Sequence, residues 1–232
     1  MISIIVPIYN EEEVLSSFIK TFFNDIKLKE DFELILVNDG SEDNTKKLIM
    51  KSMTEHKEIK LVSYDKNKGL GYALRTGFNS VKSRIIVTMD SDLTHPPAII
   101  PKLVRKIDEG YDVVIGSRYI PSAGIEGVSH YKNLLSRSTN KFTKIFVGCN
   151  LKDLTSGFRA YNTNFLKKIK TKEIGFEVEL EILVKLIRRG AKIVEIPFTS
   201  IDRQAGKSKF SIFRHGIRYI FGLMKILICR RN

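Results

Sequence analysis

The chain has 232 residues, of which 43% are hydrophobic and 28% charged, with only six prolines. That is enough apolar material for one buried core of ordinary domain size with a small appendage, and it excludes a disordered polar chain. The balance of 39 Lys+Arg against 26 Asp+Glu, formally +13, calls for an anionic partner: nucleic acid, an acidic membrane or a phosphorylated substrate.

Cys149 and Cys229 lie far apart and in no metal or redox spacing, so no disulfide framework is implied and a reducing cytosol is the default. The N-terminus runs directly into Ile2-Ser3-Ile4-Ile5-Val6-Pro7 and reads as a first strand, not a signal peptide. No uncharged apolar run approaches the roughly 18–20 residues a membrane span needs.

Strands and helices alternate through the first half. Residues 2–8 form a short apolar run that predicts a buried strand. Helical spacing over 11–29 places Val14, Leu15, Phe18, Ile19, Phe22 and Phe23 on one side. A second strand is predicted at 32–37. Ser41-Glu42-Asp43-Asn44 carries helix-start chemistry for a helix over 45–53. A third strand follows at 59–63, a helix at 70–81 and a fourth strand at 84–89. Pro96-Pro97 opens a helix that reaches Glu109 and stops at Gly110, before a fifth strand at 113–116. This order predicts an α/β fold with a mostly parallel sheet covered on both faces.

The second half is less regular. Residues 130–147 are amphipathic and basic, 153–161 mix turn and strand residues, and 176–189 read as a helix ended by Gly190. A strand at 193–198, a basic glycine-containing loop at 203–209 and an apolar, basic helix at 210–229 complete the chain. Residues 1–209 are expected to form the catalytic domain, with 210–232 a basic amphipathic helix at a membrane interface.

In a parallel sheet, ligands sit beyond the carboxyl ends of the strands. Those ends carry Pro7-Ile8-Tyr9-Asn10-Glu11, Asn38-Asp39-Gly40-Ser41, Asp90-Ser91-Asp92 and Gly116-Ser117-Arg118-Tyr119. Asp90 and Asp92 are spaced i, i+2, so on an extended segment their carboxylates point to one side and repel. A hard divalent cation, Mg²⁺ or Mn²⁺, with a bound diphosphate relieves that repulsion; a solvated turn is the plainer reading of a bare D-x-D. Asp39 is either an acceptor for a base or ribose or a turn residue. Tyr9 either stacks on a base or packs. Lys66-Asn67-Lys68-Gly69-Leu70-Gly71 resembles a phosphate loop but lacks the Walker spacing, and a tight turn into a helix is the preferred reading.

Taken with Asp153-Leu154-Thr155-Ser156-Gly157-Phe158-Arg159-Ala160-Tyr161, Leu93-Thr94-His95-Pro96-Pro97 and Arg203 with Gly206-Lys207-Ser208-Lys209, these segments resemble the family 2 glycosyltransferases of GT-A fold. The resemblance is nearest to the branch that glycosylates dolichyl and polyprenyl phosphates, and it spans nearly the whole chain. It implies metal-dependent, inverting transfer of a hexose, with mannose from GDP-mannose favoured. UDP-glucose as donor, or a saccharide acceptor, are the alternatives. It implies that Pro7, Tyr9, Glu11, Val37 and Asp39 surround the nucleoside. Asp90, Ser91 and Asp92 would serve the metal and diphosphate, with Asp92 the firmer ligand. Arg203 and Lys209 would hold the diphosphate or the acceptor phosphate, and Arg118 and Arg137 would receive the lipid phosphate. Mannose synthases of this branch carry Gln two residues past the second Asp; here the position is Thr94, whose shorter reach leaves the third metal ligand open.

A phosphate-monoester acceptor has a second pKa of about 6 and needs no general base. A sugar-hydroxyl acceptor would need one, and Asp153 is the candidate; otherwise Asp153 is expected to orient Arg159 or the site loop. Lys132, Arg137, Lys141 and Lys144, and later Arg214, Arg218 and Lys225, alternate with apolar residues as interfacial helices do. The expected location is peripheral, on the cytoplasmic face of a membrane, either unaided or with a separate membrane subunit or further transmembrane segment. A nucleic-acid-binding protein would explain the net charge, but not the acidic edge at Asp39, Asp90 and Asp92. A catalytically dead scaffold is disfavoured because the metal pair and the late basic residues are present.

Overall fold

A computed structural model describes residues 1–127, 140, 143–144 and 147–201. Most of the predicted 130–147 helix, including Arg137, lies outside the described residues, as do the loop with Arg203 and Lys209 and the helix predicted over 210–229.

The strands are β1 (Ile2–Ile8), β2 (Phe32–Asp39), β3 (Ile59–Tyr64), β4 (Ile85–Thr88), β5 (Val113–Ser117), β6 (Gly124–Glu126), β7 (Arg159–Asn162), β8 (Ile193–Pro197) and β9 (Thr199–Ile201). The helices are α1 (Glu12–Asp25), α2 (Thr45–Glu55), α3 (Leu70–Ser80), α4 (Ile100–Asp108), the single turn α5 (Thr163–Leu166) and α6 (Glu177–Arg188), with a 3₁₀ turn at Pro97–Ile99 ahead of α4. Seven strands form one sheet in the order β3-β2-β1-β4-β7-β5-β8, and β6 pairs with β9 in a second, two-stranded sheet. All pairings are parallel except those of β7, which runs antiparallel between β4 and β5.

Alternation along β1 builds both layers. Ile2, Ile4, Val6 and Ile8 face a cluster with Leu15, Phe18 and Phe22 of α1, Ile49 of α2 and Leu103 of α4. Ile5 faces the other way, with Ala73 and Leu74 of α3 and Leu180, Leu183 and Val184 of α6. Each such aliphatic side chain, fully removed from water, contributes roughly 1.5–3 kcal/mol before entropy is charged against it. β1, an interior strand of the sheet, is therefore buried from both sides, as its run of apolar residues, broken only by Ser3, requires.

The predicted elements recur with shifted ends. The first helix stops at Asp25, where Ile26 turns extended, so 26–29 are not helical. The second strand runs on to Asp39 and the third to Tyr64, because they pair with each other to the last residue. The pairing of β7 within the sheet and the small β6–β9 sheet were not among the predicted elements. Among the described residues no helix is long and apolar enough to cross a membrane.

Gly77 shows how closely α3 sits on the sheet. A Cβ there would stand 2.6 Å from Ile5 Cγ2 and 3.3 Å from Val37 Cγ2. Alanine is the better helix former by about 1 kcal/mol, yet overpacking a rigid β-branched contact costs about 1–3 kcal/mol. Gly77→Ala is therefore expected to lower stability, read as a lower denaturant midpoint at unchanged slope; a raised midpoint would show that the interface has slack.

Candidate active site

The carboxyl ends of β1, β2, β4 and β5 bring the predicted segments to one edge. Pro7 lies opposite Val37 in the β1–β2 register. Val37 is fully buried, so its side chain belongs to the core and only its backbone borders the edge. Tyr9 and Glu11 follow β1 half-buried. The Glu11 amide donates to Thr45 Oγ1 (2.9 Å), and the Asn10 amide to Ser41 Oγ (2.9 Å), which ties the two strand-end loops together.

Asp39 is buried and heavily engaged. Its Oδ1 accepts from the Lys68 amide (2.7 Å), and its Oδ2 from the Gly69 amide (2.9 Å) and Asn67 Nδ2 (3.1 Å). The carboxylate thus sits at the start of α3, where orphan helix amides and the dipole favour a negative charge. The Gly71 amide donates to Ile174 O (2.9 Å), and a Cβ on Gly71 would lie 2.0 Å from Glu173 O. These glycine-loop amides are committed to protein acceptors. The segment is a tight turn into a helix that also lets the 173–174 backbone approach.

Asp90 and Asp92 follow β4. The Asp90 side chain is 53% exposed, whereas Asp92 is 6% exposed and Ser91 is buried beside it. Asp92 Oδ1 accepts from both the amide (3.1 Å) and the hydroxyl (2.6 Å) of Thr94. Thr94 therefore orients the Asp92 carboxylate. The Asp90 amide donates to His95 Nδ1 (3.0 Å), which puts that ring's proton on Nε2, 3.8 Å from Asp90 Oδ2. His95 stacks on Phe158 with centroids 4.9 Å apart, and Phe198 meets it edge-on. The Asp90 backbone is thereby anchored to an aromatic cluster.

Gly157 lies beside Asp90 and Glu179, close enough that even a methyl group there would touch both carboxylates. A Cβ there would lie 3.7 Å from Asp90 Oδ1 and 3.4 Å from Glu179 Oε1. Among the described residues no group of three or more His, Cys, Asp or Glu side chains is arranged to hold a metal ion. Two carboxylates at one strand end suit a hard divalent ion whose remaining ligands are diphosphate oxygens and water.

Arg118 follows β5 and is locked in place. Its Nε donates to Asp153 Oδ2 (2.7 Å), and its Nη2 to Asp153 Oδ1 (2.8 Å) and Thr155 Oγ1 (3.0 Å). The Asp153 side chain is 0% exposed and that of Arg118 21%. Burial alone would raise the Asp153 carboxyl, but the Arg118 guanidinium overcomes this and holds it below the usual carboxylate range. Burial likewise opposes the charge on Arg118, and Asp153, with a smaller contribution from Asp90, raises its pKa. Asp153 therefore orients Arg118 rather than Arg159. Arg159 is fully buried and donates to Glu179 O (2.6 Å) and Leu154 O (2.8 Å).

Sequence reasoning left three participants without a role. His95 and Gly157 lay inside quoted segments. Glu179 lay on a stretch read only as a helix ended by Gly190. A fourth, Glu195 on β8, was passed over, although a lone acid in the apolar run Ile193-Val194-Glu195-Ile196 is itself a signal. Glu195 accepts from the Lys152 amide (2.8 Å) and the Asp153 amide (2.9 Å), so it fixes the backbone that aims Asp153 at Arg118.

The site rests on a fold and a family that comparison identifies. Residues 3–170 match the model of the family described as glycosyl transferase family 2, and the chain belongs to that family. It is 34% identical over 229 residues to the dolichol-phosphate mannosyltransferase of Pyrococcus furiosus, covering 97% of this chain and 64% of that protein's length. It is 29% identical over 215 residues to the polyprenol monophosphomannose synthase of Mycolicibacterium smegmatis, covering 90% of this chain and 80% of the other. The crystal structure of glucosyl-3-phosphoglycerate synthase from Mycobacterium tuberculosis, a complex with Mn²⁺ and UDP, superposes with a TM-score of 0.75 at 22% identity, covering 100% of this chain and 81% of that one. This likeness establishes the GT-A arrangement of sheet and helices.

Two outcomes are expected. Burial pushes the Glu179 carboxyl up to about 7, with Arg159 pulling it down and Asp90 pushing it further up. A carboxyl raised in the folded state leaves stability intact below its ordinary pKa of 4.5 and erodes it as pH rises towards 7. Glu179→Gln is expected to flatten that decline in unfolding free energy measured between pH 4.5 and 7.5; an unchanged slope would remove Glu179 as its source. Asp153→Asn leaves the Arg118 charge buried without its counter-ion and is expected to cost about 3–5 kcal/mol of stability, read by chemical denaturation; a loss below about 1 kcal/mol would refute the lock.

Proposed function

We propose that this protein transfers mannose from GDP-mannose to the phosphate of a dolichyl or polyprenyl phosphate, at the cytoplasmic face of a membrane, with Mg²⁺ or Mn²⁺ as cofactor. The observation that carries the reading is the placement of the Asp90–Asp92 pair beside Arg118 at one sheet edge. Cation-binding carboxylates and an anion-binding guanidinium meet at that edge, near enough for the Asp90 charge to raise the Arg118 pKa. The named activities of the archaeal and mycobacterial relatives support mannose as the sugar and a lipid phosphate as the acceptor. The Mn²⁺ and Mg²⁺ complexes of the M. tuberculosis enzyme support a divalent ion.

Asp92, oriented by Thr94, and Asp90, anchored through His95, would hold the ion, which supplies charge neutralisation for the departing diphosphate. Asp39, Tyr9, Glu11 and the Pro7 and Val37 backbone would border the nucleoside. Arg118, held by Asp153, would present its guanidinium edge to the acceptor phosphate. Arg137, Arg203 and Lys209 would add positive charge for the two phosphate groups. A phosphate monoester is largely dianionic at neutral pH and is already a nucleophile. Its oxygen forms the bond to the anomeric carbon as the bond from that carbon to the diphosphate oxygen breaks, with inversion. The protein's contribution is to bring two anionic reactants in line and offset their repulsion.

Purified protein with Mg²⁺ or Mn²⁺, polyprenyl phosphate and labelled GDP-mannose or UDP-glucose is expected to yield organic-soluble label from GDP-mannose. EDTA should abolish it, and Asp92→Ala should reduce it at least about a hundredfold. Transfer from UDP-glucose alone would replace the donor. Donor hydrolysis or transfer only to a saccharide would overturn the acceptor.

A further inference from the structure

We propose that the α3/α6 face of the domain is a docking surface for an anionic lipid bilayer. The proposal takes its choice of occupant from the lipid-phosphate reading above and adds where the membrane lies.

The two helical layers differ in the sign of their exposed charge. Between residues 163 and 192, every exposed charged side chain is basic, among them Lys167, Lys168, Lys170, Lys172, Arg189 and Lys192. The acids of the same stretch are drawn inward: Glu177, Glu179 and Glu181 are buried and Glu173 is half-buried. They are turned to internal tasks, since Glu181 accepts from the Lys172 and Glu173 amides (2.9 Å each) and Glu177 from the Gly175 amide (3.2 Å). α3 contains no acidic residue at all, and it packs beside α6. The opposite layer of α1, α2 and α4 exposes both signs, with Glu12, Glu13, Asp25, Glu55 and Asp108 among its solvated acids.

The basic strip is anchored rather than loose. Lys185 Nζ donates to Lys170 O (2.6 Å), and the Glu181 contacts fix the backbone at 172–173, so the strip lies along α6. Its far end carries Ile174, 44% exposed, and Phe176, 37% exposed. Ile174 O receives the Gly71 amide at the start of α3. This apolar end is therefore at the same sheet edge as Asp39. A stretch whose exposed charges are all basic, with apolar side chains at its catalytic end, fits a lipid interface, which offers anionic headgroups and an acyl boundary together. A nucleic-acid backbone would match the charge and leave the apolar residues without a counterpart.

The test uses the full chain and co-sedimentation with phosphatidylcholine vesicles, with and without phosphatidylglycerol. The Lys167→Glu, Lys168→Glu, Lys170→Glu, Lys172→Glu variant should lose at least about tenfold in binding to the anionic vesicles, since each basic residue near such a surface contributes roughly fivefold. A control with the same charge change on the other layer, Lys46→Glu, Lys47→Glu, Lys51→Glu, Lys102→Glu, should keep its binding, and both should melt as the native chain does. Ile174→Ser should weaken binding without altering net charge. Transfer to detergent-dispersed polyprenyl phosphate should survive the Lys167–Lys172 changes, which separates docking from catalysis. If the native chain transfers no sugar in detergent, the functional reading fails while the vesicle comparison still decides the docking face. Equal losses in both charge variants, or none in either, would overturn the proposal. Loss of RNA binding with vesicle binding retained would overturn it in favour of a nucleic-acid partner.

Discussion

Two arginines, the partly buried Arg118 and the fully buried Arg159, hold the 153–159 segment against the carboxyl edge of the sheet, and the geometry of the site depends on them. Arg118 reaches across from β5 to Asp153 with two parallel hydrogen bonds. Arg159, on the strand between β4 and β5, grips the carbonyls of Leu154 and Glu179. A buried ion pair returns little net stability over an apolar core, because desolvation consumes most of the Coulomb gain. Its effect here is positional: the fork of an arginine accepts few geometries, so the loop it holds has few places to go.

The antiparallel β7 makes this arrangement possible. Opposite Thr88 on one side and Ile115 on the other, Arg159 is seated between the strands that deliver Asp90 and Arg118. The Thr88 hydroxyl donates to Gly157 O (2.8 Å), and the Gly116 amide to Phe158 O (2.8 Å). Both neighbours thus fix the residues just before β7. The strand ends that carry Asp90 and Arg118 are thereby registered to each other through one short strand.

Charge is sorted at several scales in this molecule. At the proposed site, acids would carry the metal-side chemistry and arginine the acceptor side. Within α6, the glutamates face inward to backbone amides and to Arg159, leaving basic side chains outside. Across the domain, the two helical layers expose different charge. Formal net charge records only the sum of these arrangements.

Much of the fold was legible because its signals are local. An apolar run such as Ile2-Ser3-Ile4-Ile5-Val6 has few alternatives to a buried strand, and helix periodicity over Val14, Leu15, Phe18 and Phe22 places one face inward. Position alone put Asp39, Asp90, Asp92 and Arg118 at the strand ends, where a parallel sheet places its ligands, while the roles expected of them came from the family resemblance. What Asp153 holds was not legible: Arg118 and Arg159 were equally available along the chain, and only the packing of β7 between β4 and β5 chose Arg118. Likewise, the hydroxyl of Thr94 turned to Asp92, the amides of the Gly69–Gly71 turn went to Asp39 and Ile174, and Glu195 gave the backbone at 152–153 its acceptor. Sequence determined which groups exist and which strand ends carry them, because hydrophobic periodicity acts over a few residues. Tertiary structure decided which of them meet, because contacts between residues far apart in the chain are set by how the layers close and not by any spacing along it.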